Sequence, residues 1–213
     1  MSNRYHETAF TPAVRRLQER AGSDERYAAA GARGTPNDRF TARERQYIAE
    51  RDGFYLATVS EAGWPYVQFR GGPPGFVRVL DEATLGWADF RGNQQFVSAG
   101  NAAAGDGRAA LILTDYPNRR RLKLFGNLTF TAAADAPDLV ARLAVAGYRA
   151  TVDRAAVVRL EGFDWNCPQH IPQRFTPDEM ADALAPLRAR LEALEEENRA
   201  LRRRLGDGAA GQD

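Results

Sequence analysis

The chain has 213 residues, and its 29 lysines and arginines nearly balance its 28 aspartates and glutamates, for a net charge of +1. That balance gives no bulk attraction to nucleic acid or to an anionic membrane, and no apolar run approaches the roughly 20 residues that span a bilayer. The opening MSNRYHETAF carries charge where a secretory signal has its apolar core, and one cysteine, Cys167, excludes an internal disulfide framework, so a cytoplasmic protein with a single sizeable core is expected.

Residues 1–51 read as a polar helical arm. Thr11-Pro12 ahead of Val14 and Leu17 predicts a short capped helix. Gly and Pro in 31–38 (GARGTPND) predict a loop. Thr41, three residues before Glu44, fits a capping box that opens a helix to about residue 50. Such an arm suits folding over a pocket mouth, or equally a leader held by one helix.

From residue 52 the pattern changes to short strands divided by Gly/Pro turns. Strands are expected at 54–60 (FYLATVS), 64–70, 76–80, 84–88, 109–114 (AALILT), 122–131 (LKLFGNLTFT) and 155–163 (AAVVRLEGF). Short helices are expected from 93 to about 104, and at 138–145, where Leu139, Val140, Leu143 and Ala144 recur at helical spacing. No strand–helix–strand alternation appears, which argues against a doubly wound sheet. The expected fold is mainly β (α+β): a six-stranded antiparallel split barrel over 52–175, with short helices and the helical arm.

Thr176-Pro177-Asp178-Glu179 is a strong helix start. Leu184, Leu187, Leu191, Leu194, Asn198, Leu201 and Leu205 then recur in steps of three and four, the seam of a coiled coil over 176–205. Asn198 at an a position favours an in-register parallel pair, and Arg190 against Glu195, like Glu197 against Arg202, would pair across it. The alternative is a single helix laid on its own barrel. Pro186 is expected to interrupt the helix early, and 206–213 to be a disordered end.

Two segments carry more polar chemistry than a core requires. GWPYVQFRGG (63–72) ends in Gln68 and Arg70, and GWADFRGNQQF (86–96) in Arg91, Asn93 and Gln94. Arginine, a glycine allowing close backbone approach and amides at a helix start meet the demands of a phosphorylated aromatic cofactor. The same residues also suit a helix cap beside a solvated loop, and composition does not separate the two readings. The tip 115–121 (DYPNRRR) offers three adjacent arginines, as a second anion pocket or as an exposed hairpin end.

Residues 54–126 resemble the flavin-binding split barrel of the pyridoxamine 5'-phosphate oxidase-like family. The residues carrying the likeness are Gly63-x-Pro65 with Gln68-Phe69-Arg70, Trp87-Ala88, Gly92-Asn93-Gln94, Asn101 with Arg108-Ala109-Ala110-Leu111, and Arg121 to Gly126. The resemblance implies FMN held between the subunits of a homodimer. It sets Gln68 and Arg70 along the flavin ring edge, Trp87 and Ala88 beside the ribityl chain, and Arg91, Asn93 and Gln94 at the phosphate. Arg121 and Lys123 would reach in from the partner subunit. Ala88 stands where the family usually has a hydroxyl, and Asn93-Gln94 replaces an Arg-Lys pair, so fewer cations face the phosphate.

In 163–174 (FDWNCPQHIPQR), Trp165 and Arg174 resemble a C-terminal Trp and Arg that the family brings to the flavin. Asn166, Gln169 or His170 would then face substrate, with His170 the best candidate for proton transfer; a packed structural histidine is the alternative. Cys167 and His170 have metal-ligand spacing without a second pair, so no metal site is expected, and Cys167 suits a small buried position. The expectation is an FMN-dependent oxidoreductase acting on a small molecule, with no nucleic-acid or membrane partner. The alternative is a flavin carrier without turnover, or a heme or deazaflavin binder as among relatives. The substrate pattern of pyridoxamine phosphate oxidation itself is not recognisable.

Overall fold

The structure, a computed structural model, describes residues 3–33, 36–165 and 169–209, with the side chains of 30–33 and 204–209 left aside. The expectations at Asn166, Cys167, the Leu205 side chain and residues 210–213 lie outside these. The chain divides into two compact units, Met1–Ile171 and Pro172–Asp213.

The first unit is built on seven antiparallel strands in the order β2-β1-β5-β6-β7-β4-β3. They are β1 (Gly53–Val59), β2 (Pro65–Gly71), β3 (Val77–Val79), β4 (Thr84–Phe90), β5 (Arg108–Asp115), β6 (Arg120–Ala132) and β7 (Val152–Trp165). Two expectations are corrected. A six-stranded barrel was expected, but among the described residues all seven segments anticipated as strands join one sheet, the short 76–80 segment included, since β3 pairs with β4 at its edge. The sheet is also not closed by hydrogen bonds: β2 and β3 are its two edges.

The sheet nevertheless curls around one core. Phe54 of β1 meets Trp87 of β4 at a ring separation of 4.9 Å, although the two strands stand far apart in the ladder order. Leu56, Leu111, Leu113, Leu122, Leu124 and Leu128 fill the same interior. The alternation of β6, buried at every second residue from Leu122 to Leu128, supplies this inner face. Gly126 sits at a register shift between β6 and β7, where a Cβ would stand 2.4 Å from the Arg159 carbonyl oxygen.

Helices cover the ends and back of the sheet. Thr41 and Glu44 form the predicted reciprocal cap on α4 (Ala42–Ala49). This orients Tyr47 and Ile48 into the core, and the Tyr47 hydroxyl lies 3.1 and 3.0 Å from the carbonyls of Leu113 and Arg120. Helix α5 (Val97–Ala104) is pinned to the first hairpin by Ser98 donating to Gln68 at 3.2 Å and Asn101 donating to Thr58 at 3.0 Å. Helix α6 (Pro137–Leu143) buries Leu143 against Ala88 and Ala155 on the outer side.

The arm contains three further helices, α1 (Arg4–Ala9), α2 (Pro12–Arg20) and α3 (Asp24–Arg33). Helix α3 runs through Arg33, so the loop expected from residue 31 begins later. Tyr5 of α1 stacks on Phe125 at 4.8 Å, which ties the arm to β6.

The second unit contains α7 (Pro177–Ala209), one helix of 33 residues. The expected interruption does not occur, since Pro186 lies inside it, and the helix reaches Ala209 across a stretch expected to be disordered. Leu187, Leu191, Leu194 and Leu201 are exposed along it.

Burial pushes the Tyr47 phenol up to about 12 from its ordinary 10.0. A group raised in the folded state stabilises it fully below the unfolded value and loses that contribution as pH rises through the folded one. Stability should therefore fall between pH 10 and about 12, and a Tyr47→Phe variant should show a shallower fall in its urea midpoint over that window. Equal slopes for the two proteins would sink the assignment.

Candidate functional site

The alternation of β2 divides its side chains into two sets. Pro65, Val67 and Phe69 point outward and are exposed, while Tyr66, Gln68 and Arg70 are half-buried on the opposite face. That inner set forms one wall of a cavity of about 180 Å³. The loop after β4 contributes Asn93, Gln94, Gln95 and Phe96, and the start of α5 adds Val97 and Ala99. Phe90, Asp153 and Arg154 complete it from the paired ends of β4 and β7.

The electrostatic centre is Asp89, 1% exposed on β4. Asp89 and Arg154 are direct register partners across β4 and β7. Arg154 donates to the Asp89 carboxylate from Nε at 3.0 Å and from Nη2 at 2.6 Å, a fork on a single oxygen. Arg70 reaches the other oxygen from β2, with Nη1 at 2.8 Å. That contact is an ion pair whose angle is too poor for a hydrogen bond, so Asp89 Oδ1 and the buried Arg70 Nε both remain without a hydrogen-bond partner. Arg91 pairs with Asp153 at 2.9 Å. Three arginines against two aspartates leave one net positive charge around the cavity.

The loop between β4 and α5 is unusual in its backbone. Gln94 and Phe96 both take the left-handed conformation, at φ 59° and 55°. The expected helix from residue 93 therefore starts only at Val97, and no side chain caps it. Asn93 and Gln94 lie in this loop rather than at a helix N-terminus.

Four of the predicted residues thus meet at one cavity: Gln68, Arg70, Asn93 and Gln94. Trp87 and Ala88 are each 1% exposed, Trp87 in the main core and Ala88 in the outer cluster under α6. Arg91 is exposed beside the cavity, held by Asp153. Lys123 lies on β6, 2.9 Å from Asp164. Burial pulls its ammonium down, but the hydrogen bond and charge of Asp164 outweigh this and raise it. Arg121 is half-buried on β6 with Nε lacking a hydrogen-bond partner.

Trp165 belongs to a separate cluster at the α4 end. Its indole nitrogen donates to Glu44 at 2.8 Å, and the guanidinium groups of Arg43 and Arg120 lie 4.4 and 5.1 Å from its ring centre. Burial pushes the Glu44 carboxyl up, yet the bonds from Thr41 and Trp165 prevail and hold it below its ordinary value. His170 stands exposed in a turn, with φ 64°, and does not line the cavity. Arg174 is exposed in the second unit.

Sequence reasoning missed Tyr66, Asp89, Phe96 and Arg154. Tyr66 shares strand parity with Gln68 and Arg70, and that signal was available. Asp89 stood out as a lone carboxylate in the apolar run LGWADF.

No family model matches the chain, and no curated protein does. Solved structures do share its shape. HupZ of Group A Streptococcus aligns over 64% of this chain and 99% of its own, at 14% identity and a TM-score of 0.48. An FMN-binding protein of Syntrophomonas wolfei covers 58% and 83%, at 11% identity and 0.44. A protein of Clostridium acetobutylicum, related to general stress protein 26 and of the pyridoxinephosphate oxidase family, covers 64% and 94%, at 13% and 0.42. Pyridoxamine 5'-phosphate oxidase-like and FMN-binding proteins are thus among its neighbours in shape. At such scores the likeness carries no argument about chemistry, which rests on the residues themselves.

Replacing Asp89 by Asn leaves two guanidinium groups facing each other without their anion. Breaking a buried ion network in this way costs about 3 to 5 kcal/mol. Asp89→Asn should show a clearly lower urea midpoint, and an unchanged midpoint would refute the network.

Proposed function

We propose that this chain is a flavoprotein of the pyridoxamine 5'-phosphate oxidase-like type, a homodimer that binds FMN in the β2–α5 cavity and acts as an oxidoreductase on a small molecule. The observation that carries this reading is the convergence of Arg70 and Arg154 on Asp89 beside a cavity lined by amides and aromatic rings. A phosphorylated flavin requires such a set: cations for its anion, amides for its carbonyls and ring nitrogens, and apolar surface for its ring.

The residues present fit the group in part. Arg70 and Arg154 line the cavity, and the excess positive charge around it suits an anion. The volume does not suit the whole cofactor, since small-molecule sites usually enclose about 300–1,000 Å³ and this one encloses about 180 Å³. A second copy supplying the remaining wall accounts for the difference. Two exposed apolar features support pairing. One is the outer face of the first hairpin, where Tyr55 stands opposite Phe69 on β2 and Ile112 on β5, with Val59 and Val67 nearby. The other is the leucine seam of α7.

In this reading Arg70 and Arg154 bind the anion, while Gln68, Asn93 and Gln94 orient the polar edge, which exchanges the roles that the family resemblance implies for Arg70 and for Asn93 and Gln94. Tyr66, Phe90 and Phe96 exclude water. When bound, the flavin supplies two-electron chemistry. A second reading is a flavin carrier without turnover, favoured by one observation: Arg70, Asp153 and Arg154, charged side chains that line the cavity, are each held in an ion pair, which suits binding.

Purified protein should be yellow, and mass spectrometry should identify the released molecule as FMN. Arg154→Met and Arg70→Met should each weaken FMN binding about tenfold, roughly the 1.4 kcal/mol of one charge-assisted contact. Colourless protein that takes up no added flavin would overturn the proposal. Reduction of the bound flavin by a nicotinamide and reoxidation by an acceptor would select the enzyme over the carrier. Separately, Asn198→Leu should raise the thermal midpoint of the dimer measured by light scattering, while loosening its parallel register. A lower midpoint would argue against a seam there.

A further inference from the structure

Phe96 combines features that packing does not require. It is a large aromatic side chain, 50% exposed, at the rim of the cavity. Its backbone is left-handed, φ 55° and ψ 15°, a conformation that a bulky residue without a polar side chain seldom takes. Phe96 occupies the cap position of α5, where its carbonyl accepts the first helical bond from Gly100 N at 2.7 Å, but its side chain caps nothing, so the aromatic ring itself gains nothing for the helix. Gln94, two residues earlier, is left-handed as well. Backbone strain of this kind persists where the surroundings enforce it, and it collects at ligand sites.

The surroundings here are rigid on one side. The Arg154 guanidinium lies 4.8 Å from the Phe96 ring centre and 5.1 Å from that of Phe130. Arg154 is itself fixed by its two hydrogen bonds to the buried Asp89. One side of the Phe96 ring is therefore backed by a held cation, and the exposed remainder of the ring borders the cavity.

We propose that Phe96 is the ring-stacking residue of this site, and that it sets the direction of the ligand. The flat heteroaromatic part lies on Phe96 at the mouth, and the anionic part lies inward on Arg154 and Arg70. The proposal rests on the flavin reading above and adds the orientation. It also explains why a strained, oily residue occupies a left-handed cap position that Gly, or Asn at a smaller cost, would fill more easily. A planar ring on an aromatic face is favourable for any flavin, phosphorylated or not.

The test uses the full chain, stripped of any co-purified ligand, with FMN, riboflavin and inorganic phosphate as probes and flavin emission as the readout. Wild type should bind both flavins and quench their emission, as a stacked ring does. Phe96→Leu should weaken FMN and riboflavin by the same factor, roughly three- to tenfold, and restore emission, while inhibition by inorganic phosphate stays unchanged. Phe96→Tyr should retain wild-type affinity within about twofold. Phe96→Gly, which relaxes the backbone, should bind flavin weakly yet melt no lower than wild type. Equal affinity and quenching in wild type and Phe96→Leu would overturn this proposal while leaving the flavin site intact. Loss of FMN binding alone in Phe96→Leu, with riboflavin unaffected, would reverse the orientation and overturn it too. Failure of wild type to bind either flavin would overturn both this inference and the reading beneath it.

Discussion

One buried carboxylate ties together strands that the ladder leaves apart. Asp89 is contributed by β4, Arg154 by its ladder partner β7, and Arg70 by β2 at the far edge of the sheet. Backbone hydrogen bonds connect the seven strands in one open sequence, so nothing in the ladder draws β2 toward β4. The ion pair from Arg70 spans that seam. A buried charge is tolerated only when it is paired, so desolvation itself enforces the closure: β2 moving away would leave Asp89 short of a partner. The same pairing leaves both guanidinium groups on the cavity side, with their positive charge only partly spent.

This makes structure and binding two uses of one network. Arg154 holds the β4–β7 end, backs Phe96 and lines the cavity at once. Arg70 bridges the seam while keeping Nε uncommitted. Nε is sealed from solvent, so the cost of that unsatisfied donor stays within the network, while Arg70 and Arg154 still line the cavity.

Most of the strand framework was legible because it is written in local alternation. The period-two pattern of 54–60, 64–70 and 122–131 places β1, β2 and β6 to within two residues at each end, and the Thr41–Glu44 box places α4. Helix α3 was not legible, since an alanine-rich segment without an apolar stripe gives no periodic signal. The start of α5 was misplaced because left-handed backbone at Gln94 and Phe96 leaves no mark in composition. In the candidate site, Gln68 and Arg70 followed from strand parity. The Asp89–Arg154 pair did not, because it depends on a ladder joining segments 65 residues apart, and no local pattern encodes register at that range. Trp87 looked like a cofactor contact in the motif, yet its size fits the core that it fills.

The three tryptophans fall into three unlike environments. Trp64 stands 76% exposed at the first hairpin turn, Trp87 is sealed among aromatic rings, and Trp165 is flanked by two guanidinium groups with its nitrogen bound to a carboxylate. Their emission should accordingly be red-shifted, blue-shifted and charge-perturbed, in that order. The molecule thus contains an optical gauge that sets its outer hairpin against its interior, and loosening around Trp87 would move that residue's emission toward the exposed value of Trp64 without an added label.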